Sequence, residues 1–164
     1  MAAHLFAAID VGSFELEMGI YETTSRNGLR EIDHLRHVIS LGRDTYHTGK
    51  ISYHLVDEMC QVLEEFAQVM KSYQVEDYRA YATSAMREAK NSQIILEQIR
   101  VRTGIQVQVI SNSEQRFLGY KAIAMKEAEF QKIIQKGTAI AEVFRFLFSI
   151  RTAWFLPRIS SRES

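Results

Sequence analysis

The stretch AAIDVGSFELEMGIY, residues 7 to 21, places a carboxylate, a glycine and a serine at the tip between two apolar runs. Such a tip can do chemistry on an anion. Gly12 lets the backbone come close to a charged group. The amides of Val11 to Phe14 and the Ser13 hydroxyl can then hold phosphate oxygens. Asp10 stands where it can bind Mg²⁺, directly or through water. The same residues also suit a purely structural role, because a tight turn needs a glycine and Asp and Ser satisfy turn amides. Two more polar stretches follow strand-like runs: YATSAMREAKN at 81–91 and VISNSEQRFLGY at 109–120. In open α/β sheets the C-terminal ends of strands are where ligands bind.

The elements that must position these stretches are legible from periodicity. Residues 5–10 read as a buried strand, and ELEMGIYE at 15–22 alternates polar and apolar as a half-buried strand does. Asn27-Gly28 suits a hairpin turn into a third strand, LREIDHLRHVIS. Residues 41–50 read as a polar loop. Ser52 is placed to cap a helix over about 53–73, whose inward face is Val56, Met59, Leu63, Phe66, Ala67 and Met70. A strand is expected at 77–83, then a helix over about 91–103 with Ile94, Ile95 and Ile99 inward and Gly104 as its stop. IQVQVI at 105–110 reads as a strand, a helix from Ser111–Ser113 to about 134 follows, and GTAIAEV at 137–143 reads as a last strand. Strands alternating with helices after an antiparallel start imply an α/β fold: a mixed sheet with helices packed on it.

Composition excludes several classes. The chain has 164 residues, 46% apolar and 24% charged, with 20 basic and 20 acidic side chains. That is enough for one sizeable core, and zero net charge gives no general pull toward nucleic acid or an anionic membrane. The lone Cys60 rules out an intrachain disulfide, so a reducing cytoplasm is the expected compartment. Glu142, Arg145 and Arg151 make TAIAEVFRFLFSIRTAWFL a poor membrane span. No Cys or second His completes a metal set with the five histidines, and His34 and His37 should point to opposite faces of their strand. Cys60, near the buried face of the long helix, is expected to be inert.

TSAMREA, VISNSEQ, DVGS, and LG followed by TGKIS together resemble the exopolyphosphatase / guanosine pentaphosphate phosphatase (Ppx/GppA) family, within the actin–hexokinase superfamily of ribonuclease-H-like domains. The resemblance runs from about Ala7 to Val143. It implies a ribonuclease-H-like, actin-like ATPase lobe and Mg²⁺-dependent hydrolysis of the terminal phosphoanhydride of polyphosphate or guanosine pentaphosphate. By that resemblance Glu114 is the catalytic base. Gly12, Ser13 and Arg87 bind phosphate, and Asp10 serves the metal. On residue type alone, Glu114 is equally a first-turn carboxylate facing a helix dipole, and Arg87 a surface partner of Glu88. A homodimer is implied only for a full-length form.

The chain departs from the family pattern in places. Phe14, Glu15 and Glu17 stand where the family has Asn, Ser and Arg, and acids near a polyanion weaken its binding. Asn112 replaces a glycine. Glu142 stands where an Asp precedes a glycine-rich second phosphate clamp, and FRFLFSIRTAWFLPRISSRES follows without a glycine. The expected organisation is therefore a family-like N-terminal lobe at 1–143 and an atypical tail at 144–164, truncated or frameshifted, with the second lobe missing. The alternatives are a non-catalytic member that binds a phosphorylated nucleotide and signals, and an inactive gene product.

Overall fold

A computed structural model describes residues 4–24 and 28–126. β1 (His4–Val11) and β2 (Glu15–Thr24) form an antiparallel hairpin, and β3 (Gly28–Val38) pairs antiparallel with β2. Next come α1 (Leu41–Thr48), α2 (Tyr53–Ser72), β4 (Asp77–Ala82), α3 (Ser84–Glu88), α4 (Ser92–Thr103), β5 (Val107–Val109) and α5 (Asn112–Lys126). The described strands lie in the order β3-β2-β1-β4-β5. β4 runs parallel to β1 and to β5, so Val11, Ala82 and Val109 stand in one row. The three chain segments that leave those strands emerge along one edge.

Strand alternation divides the side chains between two faces. Ala7, Ile9 and Val11 of β1 join Leu16, Met18 and Ile20 of β2 in the main core, against Val56, Met59, Leu63, Phe66 and Met70 of α2 and Ile95 and Ile99 of α4. Each such fully buried large side chain contributes about 1.5–3 kcal/mol. Phe6, Ala8 and Tyr21 face the other way and cluster with Ile110 and the partly buried Leu118 of α5. The Phe6 and Tyr21 rings stack with centroids 5.3 Å apart. His37 meets Glu58 of α2 on the first face, and His34 lies near Glu17 on the second, as their spacing predicts. Cys60 is buried, and burial raises its thiol pKa, which leaves it inert.

The structure corrects the sequence reading in four places. Residues 41–48 are helical, not loop. The helix exists because Leu41, Gly42 and Thr45 bury one side, and Gly49 ends it in a left-handed conformation. Ser84–Glu88 forms the short helix α3. Ile94 is 61% exposed while Ile95 and Ile99 are buried, because adjacent helical residues cannot share one face. β5 is confined to Val107–Val109, with Ile105 and Ile110 buried at its flanks. Gly104 does stop α4, also left-handed. Among the described residues no helix is long and apolar enough to cross a membrane. The Asn27-Gly28 turn, the strand expected at 137–143 and the tail at 144–164 fall wholly or partly outside the described residues.

Candidate functional site at the strand ends

The turn that joins β1 to β2 is closed from within. The Gly12 amide donates to the Glu15 carbonyl at 3.0 Å, so it is not free for an anion as the sequence reading supposed. A Cβ at position 12 would lie 2.9 Å from that same carbonyl oxygen, which makes glycine a steric requirement of the turn. The turn is also docked from outside. The Ile39 amide donates to the Phe14 carbonyl at 2.9 Å, and the Gly42 amide to the Ser13 carbonyl at 2.8 Å. These bonds hold Ser13 against the start of α1.

The Ser13 hydroxyl meets two others. It lies 2.9 Å from Ser84 Oγ and 3.1 Å from the Tyr46 hydroxyl, and Tyr46 donates to Ser84 Oγ at 2.9 Å. The turn, α1 and the start of α3 therefore meet in a triangle of hydroxyls. Thr45, buried on α1, reinforces the junction by donating to the Ala85 carbonyl at 3.2 Å.

Arg87, one turn further along α3, reaches the third segment. Its Nη1 donates to the Ile110 carbonyl at 2.7 Å and its Nη2 to the Asn112 side chain. Arg87 thus ties the end of β4 to the end of β5 and does not take up the surface pairing with Glu88. Two of its five N–H donors are committed and three remain. The position where the family pattern has glycine carries, in Asn112, an acceptor for this arginine.

Glu114 opens α5 in a reciprocal cap. Its Oε2 accepts the Ser111 amide at 2.8 Å, and its own amide donates to Ser111 Oγ at 3.2 Å. The bond from the Ser111 amide, and then the Ser111 side chain, hold the Glu114 carboxyl below its ordinary value of 4.5. It is ionised at neutral pH, with Oε1 left as an acceptor. The structural reading of Glu114 is therefore correct in kind, and the remaining oxygen is compatible with a second role.

Asp10 is the most unusual group. It is 6% exposed, on the second face of the sheet, directly across from the equally buried Glu17. Burial first, then the Glu17 and Glu15 carboxylates, push its pKa well above the ordinary 3.8. Its Oδ1 is buried with no hydrogen-bond partner among the described residues. Arg36 offsets part of this charge: it pairs with Glu15 and its Nε comes to 3.9 Å from Glu17, while His34 lies 3.7 Å from Glu17. An orphaned carboxylate oxygen beside other acids fits a cation. Among the described residues no group of three His, Cys, Asp or Glu side chains could hold a metal ion by itself.

Of the five sequence-derived candidates, Ser13 bonds to Ser84, Arg87 bonds to Asn112, Asp10 faces Glu17, Gly12 closes its own turn and Glu114 caps α5 with Ser111. Tyr46 and Ser84 were missed. The signal for Tyr46 was present in the spacing of Leu41 and Thr45 and in Gly49 as a helix stop, which together mark a helix where a loop was expected.

Comparison with known proteins gives a consistent result. The model of the Ppx/GppA phosphatase family matches residues 20–135. Exopolyphosphatase 1 of Mycobacterium tuberculosis is 26% identical over 115 residues, which is 70% of this chain and 33% of that protein. The Mycobacterium leprae protein of the same name is 27% identical over 70% of this chain and 34% of its own length. A crystal structure of the Aquifex aeolicus Ppx/GppA family member superposes with a TM-score of 0.71 at 30% identity, covering 75% of this chain and 40% of that one. An exopolyphosphatase from Cytophaga hutchinsonii, at 20% identity and a TM-score of 0.70, shares the fold. The chain spans about a third of the length of the curated relatives it matches.

Proposed function

The chain belongs to the Ppx/GppA phosphatase family, and from that premise we propose that it is the phosphate-binding lobe of a phosphoanhydride hydrolase that releases terminal phosphate from polyphosphate or guanosine pentaphosphate. The observation that carries this reading is the row Val11, Ala82 and Val109, from which three polar segments emerge and fasten to one another through Ser13–Ser84 and Arg87–Asn112.

Phosphoryl transfer to water needs donors on the phosphoryl oxygens, charge compensation and a group that orients the water. Ser13 supplies a hydroxyl donor, and the Gly12 turn holds it in place. Arg87, its side chain fixed by Ile110 and Asn112, would offer its three uncommitted N–H groups to developing negative charge. Glu114 keeps Oε1 for a water proton, a role worth about 10²–10⁴-fold in such reactions. Asp10 would hold Mg²⁺, which when bound neutralises charge on the phosphate chain. A reducing cytoplasm suits the lone, buried Cys60.

The test is phosphate release from long-chain polyphosphate and from guanosine pentaphosphate, in the presence of Mg²⁺, by a full-length form that carries the second lobe, since the chain alone is expected to be inactive. Glu114→Gln should lose about 10²–10⁴-fold in kcat with KM nearly unchanged. Arg87→Ala should chiefly raise KM. Wild-type turnover in Glu114→Gln would remove Glu114 from the reaction.

A second reading, a non-catalytic anion-binding member, is favoured by the half-exposed Phe14 and by Glu15 and Glu17 in place of the family's Asn, Ser and Arg. Tight binding of an oligophosphate with no release of phosphate from either substrate would select it.

A further inference from the structure

We propose that Tyr46 is a direct phosphoryl ligand of this site, its hydroxyl acting together with those of Ser13 and Ser84 as a three-donor seat for one anionic oxygen. The proposal rests on the phosphoanhydride reading for the identity of its ligand and on the hydroxyl triangle for its geometry.

The three oxygens lie 2.9, 2.9 and 3.1 Å apart, so each hydroxyl spends its proton on a neighbour when no anion is bound. Hydroxyl protons rotate to suit their surroundings. An oxygen about 2.7 Å from each member can sit over such a triangle and accept all three. A charged acceptor makes each of those bonds roughly twice as strong as the neutral bonds it replaces. The exchange therefore favours the anion without moving any heavy atom of the three side chains.

Burial does not account for Tyr46. The residue is 50% exposed, so its hydroxyl has water available and needs no serine to satisfy it. Its position is nonetheless held with care. Gly42 sits one helical turn before it, and a Cβ there would come within 2.9 Å of Tyr46 Cε2 and 3.0 Å of Ser13 Cβ. Glycine at 42 is what lets the tyrosine ring and the serine approach each other. The Gly42 amide on the Ser13 carbonyl and the Thr45 hydroxyl on the Ala85 carbonyl then fix α1 to both of the other contributors. The donors are neutral, which suits a terminal phosphoryl oxygen of a short linear polyphosphate in a site that already holds Arg87.

The experiment is calorimetric titration of the chain with tripolyphosphate and with inorganic phosphate, for wild type, Tyr46→Phe and Ser84→Ala, with Tm recorded for each. Tyr46→Phe should keep its Tm and lose about tenfold in tripolyphosphate affinity, the weight of one charge-assisted hydrogen bond. Wild type should show a tyrosine ultraviolet difference signal on titration that Tyr46→Phe lacks. Ser84→Ala should weaken affinity comparably, which keeps the proposal testable if the tyrosine variant does not fold. Equal or tighter binding by Tyr46→Phe would overturn the proposal and leave the phosphoanhydride reading standing. Affinity that falls only in step with Tm would return Tyr46 to a structural role. Wild type that binds neither anion would reject the phosphoanhydride reading, and the seat with it.

Discussion

On one face of β1, Ala7, Ile9 and Val11 are buried among aliphatic side chains from α2 and α4. On the other face, Phe6 and Ala8 lead to Asp10, which is buried opposite Glu17 with one oxygen unpartnered. The two faces alternate along the same eight residues and share every backbone hydrogen bond. They differ in what their burial does. The first removes apolar surface from water and stabilises the fold. The second removes carboxylates from water, which disfavours the fold unless a cation or a proton compensates. A strand that is optimised for stability on one side and tolerates a cost on the other is what a binding site at a sheet edge requires.

The largest expected effect tests the stabilising face. Leu63→Ala, at a fully buried position of α2, should cost about 2–5 kcal/mol in chemical denaturation. A cost well below that would mean that the helix packs more loosely on the sheet than its burial indicates.

The next tests the costly face, with the opposite sign. Asp10→Asn should raise stability at neutral pH, in the absence of divalent cations, because the amide carries no charge to bury and none to repel Glu17 and Glu15. The pKa of Asp10 is raised in the folded state by burial and by Glu17. The wild type therefore loses stability as pH rises above the ordinary 3.8, and the advantage of Asn appears in that range and vanishes below it. Equal stability of the two proteins at neutral pH would show that the acids on this face are already compensated.

A smaller effect concerns α5, whose Leu118, with Ile110 just before the helix, covers the second face. Ser111→Ala removes a cap and should cost about 0.5–1 kcal/mol. Hydrogen exchange should show the loss in α5 while α2 keeps its protection. Uniform loss across both helices would mean that the two faces unfold as one unit.

The smallest effect is electrostatic and local. Because the Ser111 amide lowers the Glu114 pKa, the cap should be intact above the ordinary 4.5 and weaken as pH falls through the lowered value. The protection factor of the Ser111 amide against pH, corrected for intrinsic exchange, reads this, and protection that does not change with pH would separate Glu114 from the cap.

How much of this was legible beforehand varied with the physics of each segment. The β1–β2 alternation and the apolar stripe of α2 were plain because their periods are intrinsic to strand and helix. The candidate-site residues came from motif resemblance, and the structure joins the segments that carry Ser13, Arg87 and Asn112 through hydrogen bonds. The 41–48 helix left only a faint signal, in Leu41, Thr45 and Gly49, and was read as a loop. Gly42, Thr45 and Thr48 are poor helix formers, and the helix is held by the burial of Leu41 and Thr45 against other elements. Tyr46 was lost with it. Ile94 was misassigned because SQIILEQI in α4 offers two adjacent isoleucines and only the packing partner decides which one is inside.

The sequence by itself determined the α/β alternation and the buried face of α2, because these depend on local periodicity, and its motifs at the strand ends resembled one family closely enough to name it. Tertiary structure alone decided that the Gly12 amide is spent inside its own turn, that Arg87 binds Ile110 and Asn112 and not Glu88, that Asp10 faces Glu17 across a hairpin, and that Tyr46 meets Ser13 and Ser84. Each of these is a contact between side chains or strands brought together by the register of the sheet and the docking of α1. No one-dimensional pattern encodes a hydrogen bond between residues 13, 46 and 84, because the distance that makes it exists only once three separate elements have packed on one edge.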